Sequence, residues 1–145
     1  METVKQLSLF LENKPGHVYN ICKTLGEAGI NIYTLTLADT AQFGILRLIV
    51  EDAEASKQLL EKAGFIVNIA DVLAVRIDNQ PGRLAQVAEI LNNEDINVEY
   101  VYAFANRHIF LYRVSDTEKA YSKLVSNGFV VLSSQELFNT NKSEA

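Results

Sequence analysis

Asn13-Lys14-Pro15-Gly16 recurs 66 positions on as Asn79-Gln80-Pro81-Gly82, and these two segments are the part of the chain best suited to hold a small ligand. Pro fixes φ near the helical value and has no N–H to lose, so it suits a helix start, and Gly lets the backbone approach another group closely. A helix beginning there presents unpaired amides with a partial positive charge, a seat for a carboxylate. Asn13 or Asn79 adds a side chain that both donates and accepts, and Asn31 or Asn97 offers the same at the far end of the following segment. A zwitterion needs donors for its carboxylate and acceptors for its ammonium, and an Asn-lined turn supplies both without net charge. The same residues also make an ordinary turn, and duplication preserves turns as readily as sites.

The other reactive side chains suggest less. His17 follows Gly16 at the helix start, where its counterpart Arg83 could also meet a bound carboxylate. His108 falls near a hairpin turn, and no His, Cys, Asp or Glu spacing repeats a metal-ligand pattern. Cys22 reads as a small core residue, and Glu51-Asp52-Ala53-Glu54 as a helix start whose acids suit the dipole. No Ser/His/Asp order, phosphate loop or cysteine nucleophile is visible. The expectation is a chain that is not an enzyme, with no catalytic residues, metal or cofactor. Tyr100, Tyr102 and Phe104 alternate along one strand and invite comparison with RNA-binding sheets, but only Arg107 and Arg113 are basic nearby. An interface rich in aromatic residues explains them better.

The elements that must position the turns are legible because they occur twice. Val18, Ile21, Cys22 and Leu25 return as Leu84, Val87, Ala88 and Leu91, each set on the i, i+3, i+4, i+7 stripe of an amphipathic helix. Gly29-Ile30-Asn31-Ile32 returns as Asp95-Ile96-Asn97-Val98, and Gly64-Phe65-Ile66-Val67 as Gly128-Phe129-Val130-Val131. The last pair is 64 positions apart rather than 66, which places a two-residue loss in the hairpin near Ala38 to Phe43. Leu7, Leu9 and Leu11, like Leu73, Val75 and Ile77, alternate as strands with one buried face. Strands are then expected over 30–38 and 43–51 in the first copy and 96–104 and 107–115 in the second. A helix follows in each, with Ala55, Leu59, Leu60 and Ala63 or Ala120, Tyr121, Leu124 and Val125 inward, closed by Gly64 or Gly128. Each copy therefore runs βαββαβ, two helices covering one face of an antiparallel sheet. The boundaries expected are 1–70, 71–135 and a tail over 136–145, with the two copies packed directly because no linker separates them.

A chain of 145 residues with 48% apolar and 21% charged residues should bury a real core, and its net charge of −5 gives no bulk attraction to nucleic acid or anionic lipid. One cysteine excludes an internal disulfide framework, and no run approaches a membrane span. These features fit a cytoplasmic protein.

Leu11-Glu12-Asn13-Lys14-Pro15-Gly16-His17-Val18 followed by Gly29-Ile30-Asn31-Ile32 resembles an ACT domain, the small regulatory module that binds amino acids in many metabolic enzymes. Ile77-Asp78-Asn79-Gln80-Pro81-Gly82-Arg83-Leu84 with Ile96-Asn97-Val98 resembles a second. The resemblance implies an α+β fold of two ferredoxin-like βαββαβ domains and an amino acid or similar metabolite bound where ACT domains meet. It also implies a homo-oligomer, a dimer for example, and a separate metabolic enzyme as target. The ligand-binding residues it implies are Asn13, Pro15, Gly16, His17, Val18, Asn31 and Ile32, and in the second copy Asn79, Pro81, Gly82, Arg83, Leu84, Asn97 and Val98. Serine-binding members carry His two residues before the first Asn, whereas Leu11 and Ile77 stand there in this chain, which tells against serine. The competing expectation is a docking module that dimerises or regulates an enzyme with no ligand of its own.

Overall fold

The structure, a computed structural model, describes residues 1–39, 42–104 and 108–142, and groups them into two compact units, residues 5–70 and residues 1–4 with 71–145. In the first unit β1 (Val4–Glu12) leads into α1 (His17–Glu27), β2 (Ile32–Asp39), β3 (Phe43–Val50), α2 (Ala53–Lys62) and the opening residues of β4 (Ile66–Arg76). β3 is the inner strand, antiparallel to β1 with Leu9 opposite Leu46 and to β2 with Leu35 opposite Leu48. Leu7, Leu9, Leu11, Leu46, Leu48 and Val50 form one apolar face under Ile21, Leu25 and Leu60. The β1 alternation read from sequence is what builds that face.

The second unit repeats the plan with α3 (Arg83–Asn93), β5 (Val98–Ala103), β6 (Ile109–Val114), α4 (Thr117–Ser126) and β7 (Val130–Leu132). Here β6 lies between β4 and β5, and β7 pairs the other side of β4, all antiparallel. Leu73, Val75, Ile77, Tyr112 and Val114 pack beneath Val87, Leu91, Ala120 and Leu124. The opposite sheet face is also apolar, with Val72, Ala74, Ile109, Leu111 and Leu132 all buried. The α+β ferredoxin-like architecture expected from the repeat is the one observed.

Several local expectations need correction. Of the two helical stripes only Ile21, Leu25, Val87 and Leu91 are buried, while Val18 and Cys22 are half-buried and Leu84 and Ala88 are exposed. Val87 and Leu91, one turn apart, aim α3 at the sheet with Ile90 packing beside them, whereas Ala88 lies at the edge of that stripe and Leu84, though angularly close to Leu91, stands in the opening turn beside the recess. In α2 the buried residues are Ala53, Ser56 and Leu60, with Ala55 and Leu59 half-buried and Ala63 exposed. In α4 they are Ala120 and Leu124, with Val125 exposed. β2 and β5 start two residues later than expected, at Ile32 and Val98. Phe104 follows β5 rather than belonging to it and is 1% exposed. Arg107, read as a strand start, lies outside the described residues, as do Thr40 and Ala41 of the first hairpin.

The stretch read as a tail carries α5 (Ser134–Lys142), with Leu137 fully buried. The Ser133 and Glu136 side chains each accept the other's backbone N–H at 3.1 Å, a capping box. Those bonds hold the Glu136 carboxyl below its ordinary range. Asp52 and Asp116 cap α2 and α4 by accepting the N–H of Ala55 at 3.0 Å and of Lys119 at 3.1 Å. Gly64 and Gly128, at φ +97° and +86°, close the same helices in the left-handed conformation the sequence required.

Two consequences are measurable. Ser56 is fully buried and its hydroxyl has no hydrogen-bond partner among the described residues, whereas its counterpart in the second copy is Ala120. Ser56→Ala is expected to raise stability by about 1 kcal/mol, read as a higher denaturation midpoint, because an unpaired buried hydroxyl carries an uncompensated desolvation cost. Glu94 ties the end of α3 to α4 through Lys123 at 3.2 Å and Lys119 at 3.5 Å. The hydrogen bond from Lys123, then the two lysine charges, hold its carboxyl below the usual 4.5 against partial burial. A depressed carboxyl contributes stability above its unfolded value and loses it as pH falls through the folded one. The wild type is therefore expected to lose melting temperature below pH 4.5 more steeply than Glu94→Gln.

Candidate functional site: the Asn-x-Pro-Gly helix starts

Each doubled turn delivers its chain into a helix through a glycine in the left-handed region, Gly16 at φ +97° before α1 and Gly82 at φ +87° before α3. Neither helix has a side-chain cap or an acidic residue in its first turn. The turns are held by their own backbones: the Lys14 N–H donates to the Glu12 carbonyl at 2.8 Å and the Gln80 N–H to the Asp78 carbonyl at 2.8 Å. Helix-start amides without side-chain caps are where an anionic group gains most from the helix dipole.

In the second unit the turn borders an open recess of about 650 Å³. Asn79, Pro81, Gly82 and Leu84 line it, together with Asp78, Gln80 and a wall of Ile77, Ala103, Ile109 and Phe110. His108 completes the rim. It adopts φ +57°, an uncommon conformation for a residue other than glycine, and its carbonyl accepts the Ile77 N–H at 2.7 Å. A recess of this size, mostly apolar with a few converging polar groups, suits a small amphipathic molecule.

The first unit differs. Its recess of about 500 Å³ lies toward the end of α2 and brings Glu12, Lys14, His17 and Asn20 together with Phe10, Phe43 and Phe65. His17 meets Phe65 edge-on, ring centres 5.9 Å apart. Lys14 and Glu12 form an exposed ion pair at 2.8 Å, and the hydrogen bond from Lys14 holds the Glu12 carboxyl below its ordinary range.

The sequence-derived site residues thus fall in several places. Asn79, Pro81, Gly82 and Leu84 are brought together, whereas Arg83 faces a separate groove with Gln86, Asn127 and Phe129. Its guanidinium lies 4.9 Å from the Phe129 ring centre and donates to Gln86 at 2.6 Å. Asn13, Pro15, Gly16 and Val18 stand at the start of α1, with Val18 half-buried. Asn31 with Ile32 and Asn97 with Val98 stand at the far ends of α1 and α3. A helix of 11 residues spans about 16 Å, so neither unit by itself brings its two Asn residues to one point. The Asn97 N–H is taken by the Ser115 hydroxyl at 2.9 Å. The recess residues that the sequence reading passed over are Asp78, Gln80, Ala103, His108, Ile109 and Phe110. The small-for-large exchange of Ala103 for Leu37, visible at the repeat offset, was the signal that could have flagged them.

Among the described residues, no group of three or more His, Cys, Asp or Glu is placed to hold a metal ion, and no helix is long and apolar enough to cross a membrane.

Two βαββαβ units, each opening its first helix on an Asn-x-Pro-Gly turn, define the class of duplicated ferredoxin-like proteins with a loaded strand-to-helix turn. Residues 2–140 match the family described as an ACT domain pair, and the chain belongs to that family. A solved structure of protein BT0572 from Bacteroides thetaiotaomicron is similar, with 37% identity, 94% of this chain and 96% of that one covered, and a TM-score of 0.87. The ligand-free regulatory subunit of aspartate kinase from Thermus thermophilus shares the fold at 15% identity, with 86% and 89% covered and a TM-score of 0.62. The corresponding Thermus flavus subunit does so at 16% identity, with 95% and 94% covered and a TM-score of 0.62. No curated protein matches the chain.

Proposed function

We propose that this protein is a non-enzymatic cytoplasmic sensor that binds an amino acid or a similar small metabolite at an Asn-x-Pro-Gly helix start and passes the binding on to a separate metabolic enzyme. The observation that carries this reading is the recess of about 650 Å³ in which Asn79, Pro81, Gly82 and Leu84 converge beside an apolar wall. A ligand carboxylate meets the amides that open α3, and its ammonium meets the Asn79 amide oxygen and the Asp78 carboxylate. Membership of the ACT family supports an amino acid as the ligand. A thermal-shift screen against the twenty amino acids at millimolar concentration tests it. Binding to the folded state at about 100 times Kd adds roughly 2.7 kcal/mol, a rise of roughly 5 to 10 °C for a chain of this size. A flat panel would contradict the reading.

One set of observations favours a docking role as the second reading. Leu35 and Leu37 on β2 are 45% and 51% exposed, and Phe10 and Phe43, 54% and 42% exposed, hold their rings 5.5 Å apart. Exposed apolar side chains grouped in one unit suit contact with a second copy or an enzyme surface. Sedimentation of the wild type against Leu35→Asp with Leu37→Asp distinguishes the two: a dimer lost in the variant supports docking, and a monomer in both removes it.

A further inference from the structure

We propose that the two doubled sites have diverged, so that only the turn of the second copy takes ligand, and that it selects an α-amino acid with an apolar side chain, with Ala103 setting the room available. This rests on the sensor reading above and names the ligand class of that site.

The divergence is in the sheet residues facing the turn. Leu37 pairs with Leu46 in the first unit, and Ala103 pairs with Phe110 in the second, so Leu37 and Ala103 occupy equivalent positions. In the first unit the Leu37 Cδ1 lies 3.4 Å from where a Cβ on Gly44 would stand, and so covers the backbone at that point. In the second unit Ala103 is three carbons shorter and borders the recess, and His108 replaces Gly44 on its rim. In one copy a leucine side chain lies over Gly44 at this point of the sheet, and in the other the equivalent Ala103 leaves the point to the recess.

The chemistry of the walls then names the ligand. Ile77, Leu84, Ala103 and Phe110 give an apolar lining, and Leu84 is 49% exposed there although it belongs to an amphipathic helix. An apolar ligand side chain covering Leu84 removes that surface from water. Polar groups converge at the turn, with acceptors from Asn79 and from Asp78, whose carboxylate also lies 3.9 Å from the Arg83 guanidinium, and donors from the opening of α3. Among the described residues His108, on the rim, is the polar lining group away from the turn, so a charged or strongly polar ligand side chain lying against the apolar wall would be desolvated there without a partner.

Calorimetric titration with L-leucine, L-phenylalanine, L-serine, L-lysine and 4-methyl-2-oxopentanoate tests the proposal. L-leucine or L-phenylalanine is expected to bind at least tenfold more tightly than L-serine or L-lysine. The oxo acid, which lacks the ammonium, is expected to bind at least tenfold more weakly than L-leucine. Asn79→Ala and Ala103→Leu should each weaken binding at least tenfold, while Asn13→Ala stays within twofold of wild type. If Ala103→Leu melts early without ligand, Leu84→Gln probes the same wall from the helix surface and should show the same loss. Preference for serine or lysine, an equal affinity for the oxo acid, or loss in Asn13→Ala with retention in Asn79→Ala would overturn the proposal and leave the sensor reading standing. Heat from none of the four amino acids would overturn the proposal, and only a flat thermal-shift panel over all twenty would remove the sensor reading with it.

Discussion

Leu124→Ala is expected to cost about 2 to 5 kcal/mol and to lower the melting temperature by roughly 10 to 20 °C. Leu124 is fully buried between α4 and the sheet, packed with Leu73, Val75, Val87 and Leu91. Its carbonyl also accepts the Phe129 N–H at 3.0 Å, closing α4 into β7. Truncation removes the transfer energy of the side chain and leaves a cavity that a sheet fixed by antiparallel pairing on both sides of β4 can collapse into only partly. Leu60 is its counterpart in the first copy, equally buried and accepting the Phe65 N–H at 3.1 Å. Leu60→Ala should therefore cost a similar amount. Denaturant melts of the two variants check this, and a loss below about 1 kcal/mol in either would show that the helix is not seated on the core as described.

Gly82→Val should damage both the fold and the site. At φ +87° a β-branched side chain is forced into the left-handed region, which costs roughly 1 to 2 kcal/mol. Among the described residues nothing lies within 4 Å of the Cβ that would be added, so the cost is backbone strain rather than collision, and the folded state should persist at a lower melting temperature. The new side chain also stands where Gly82 borders the recess. Any rise in melting temperature produced by an amino acid in the wild type is expected to vanish in Gly82→Val. Gly16→Val at φ +97° carries the same strain, and is expected to show the same loss of stability while keeping the ligand response. Equal ligand responses from the two variants would argue against a site at the second turn.

The order of elements was legible because it is written twice. The Leu7-Leu9-Leu11 and Leu73-Val75-Ile77 alternations, the two Pro-Gly helix starts and the Gly64 and Gly128 closures each rest on a local rule, and the structure follows them. What a stripe of apolar residues does not encode is which of its members the sheet covers. Leu84 and Ala88 satisfy the helical spacing as well as Val87 and Leu91 do, and only packing against the sheet decides which pair is buried. Helix α5 was passed over for a different reason. Its sequence is polar, but the Ser133 to Glu136 capping box stood in the chain and Leu137 was the one apolar anchor it needed.

The candidate site was legible in part. Asn79, Pro81, Gly82 and Leu84 adjoin one recess because they are neighbours along the turn. Ala103, His108 and Phe110 reach it from a hairpin more than 20 residues away in sequence, and no spacing rule links them to the turn. Arg83 follows Gly82 directly yet lines a separate groove, held by Phe129 and Gln86, with its guanidinium 3.9 Å from the Asp78 carboxylate at the edge of the recess. Sequence adjacency placed it in the site, and its cation–π contact takes it elsewhere.

The most direct test of the central claim is amide NMR of the labelled protein titrated with the amino acid that raises its melting temperature most. If the opening of α3 receives the ligand, the amides of Gly82, Arg83 and Leu84 and those of Ala103 and Phe110 should shift with one common saturating curve, while Gly16, His17 and Val18 stay in place. Saturable shifts confined to the first unit, or spread over the exposed Leu35 and Leu37 strand with the α3 start unmoved, would contradict it.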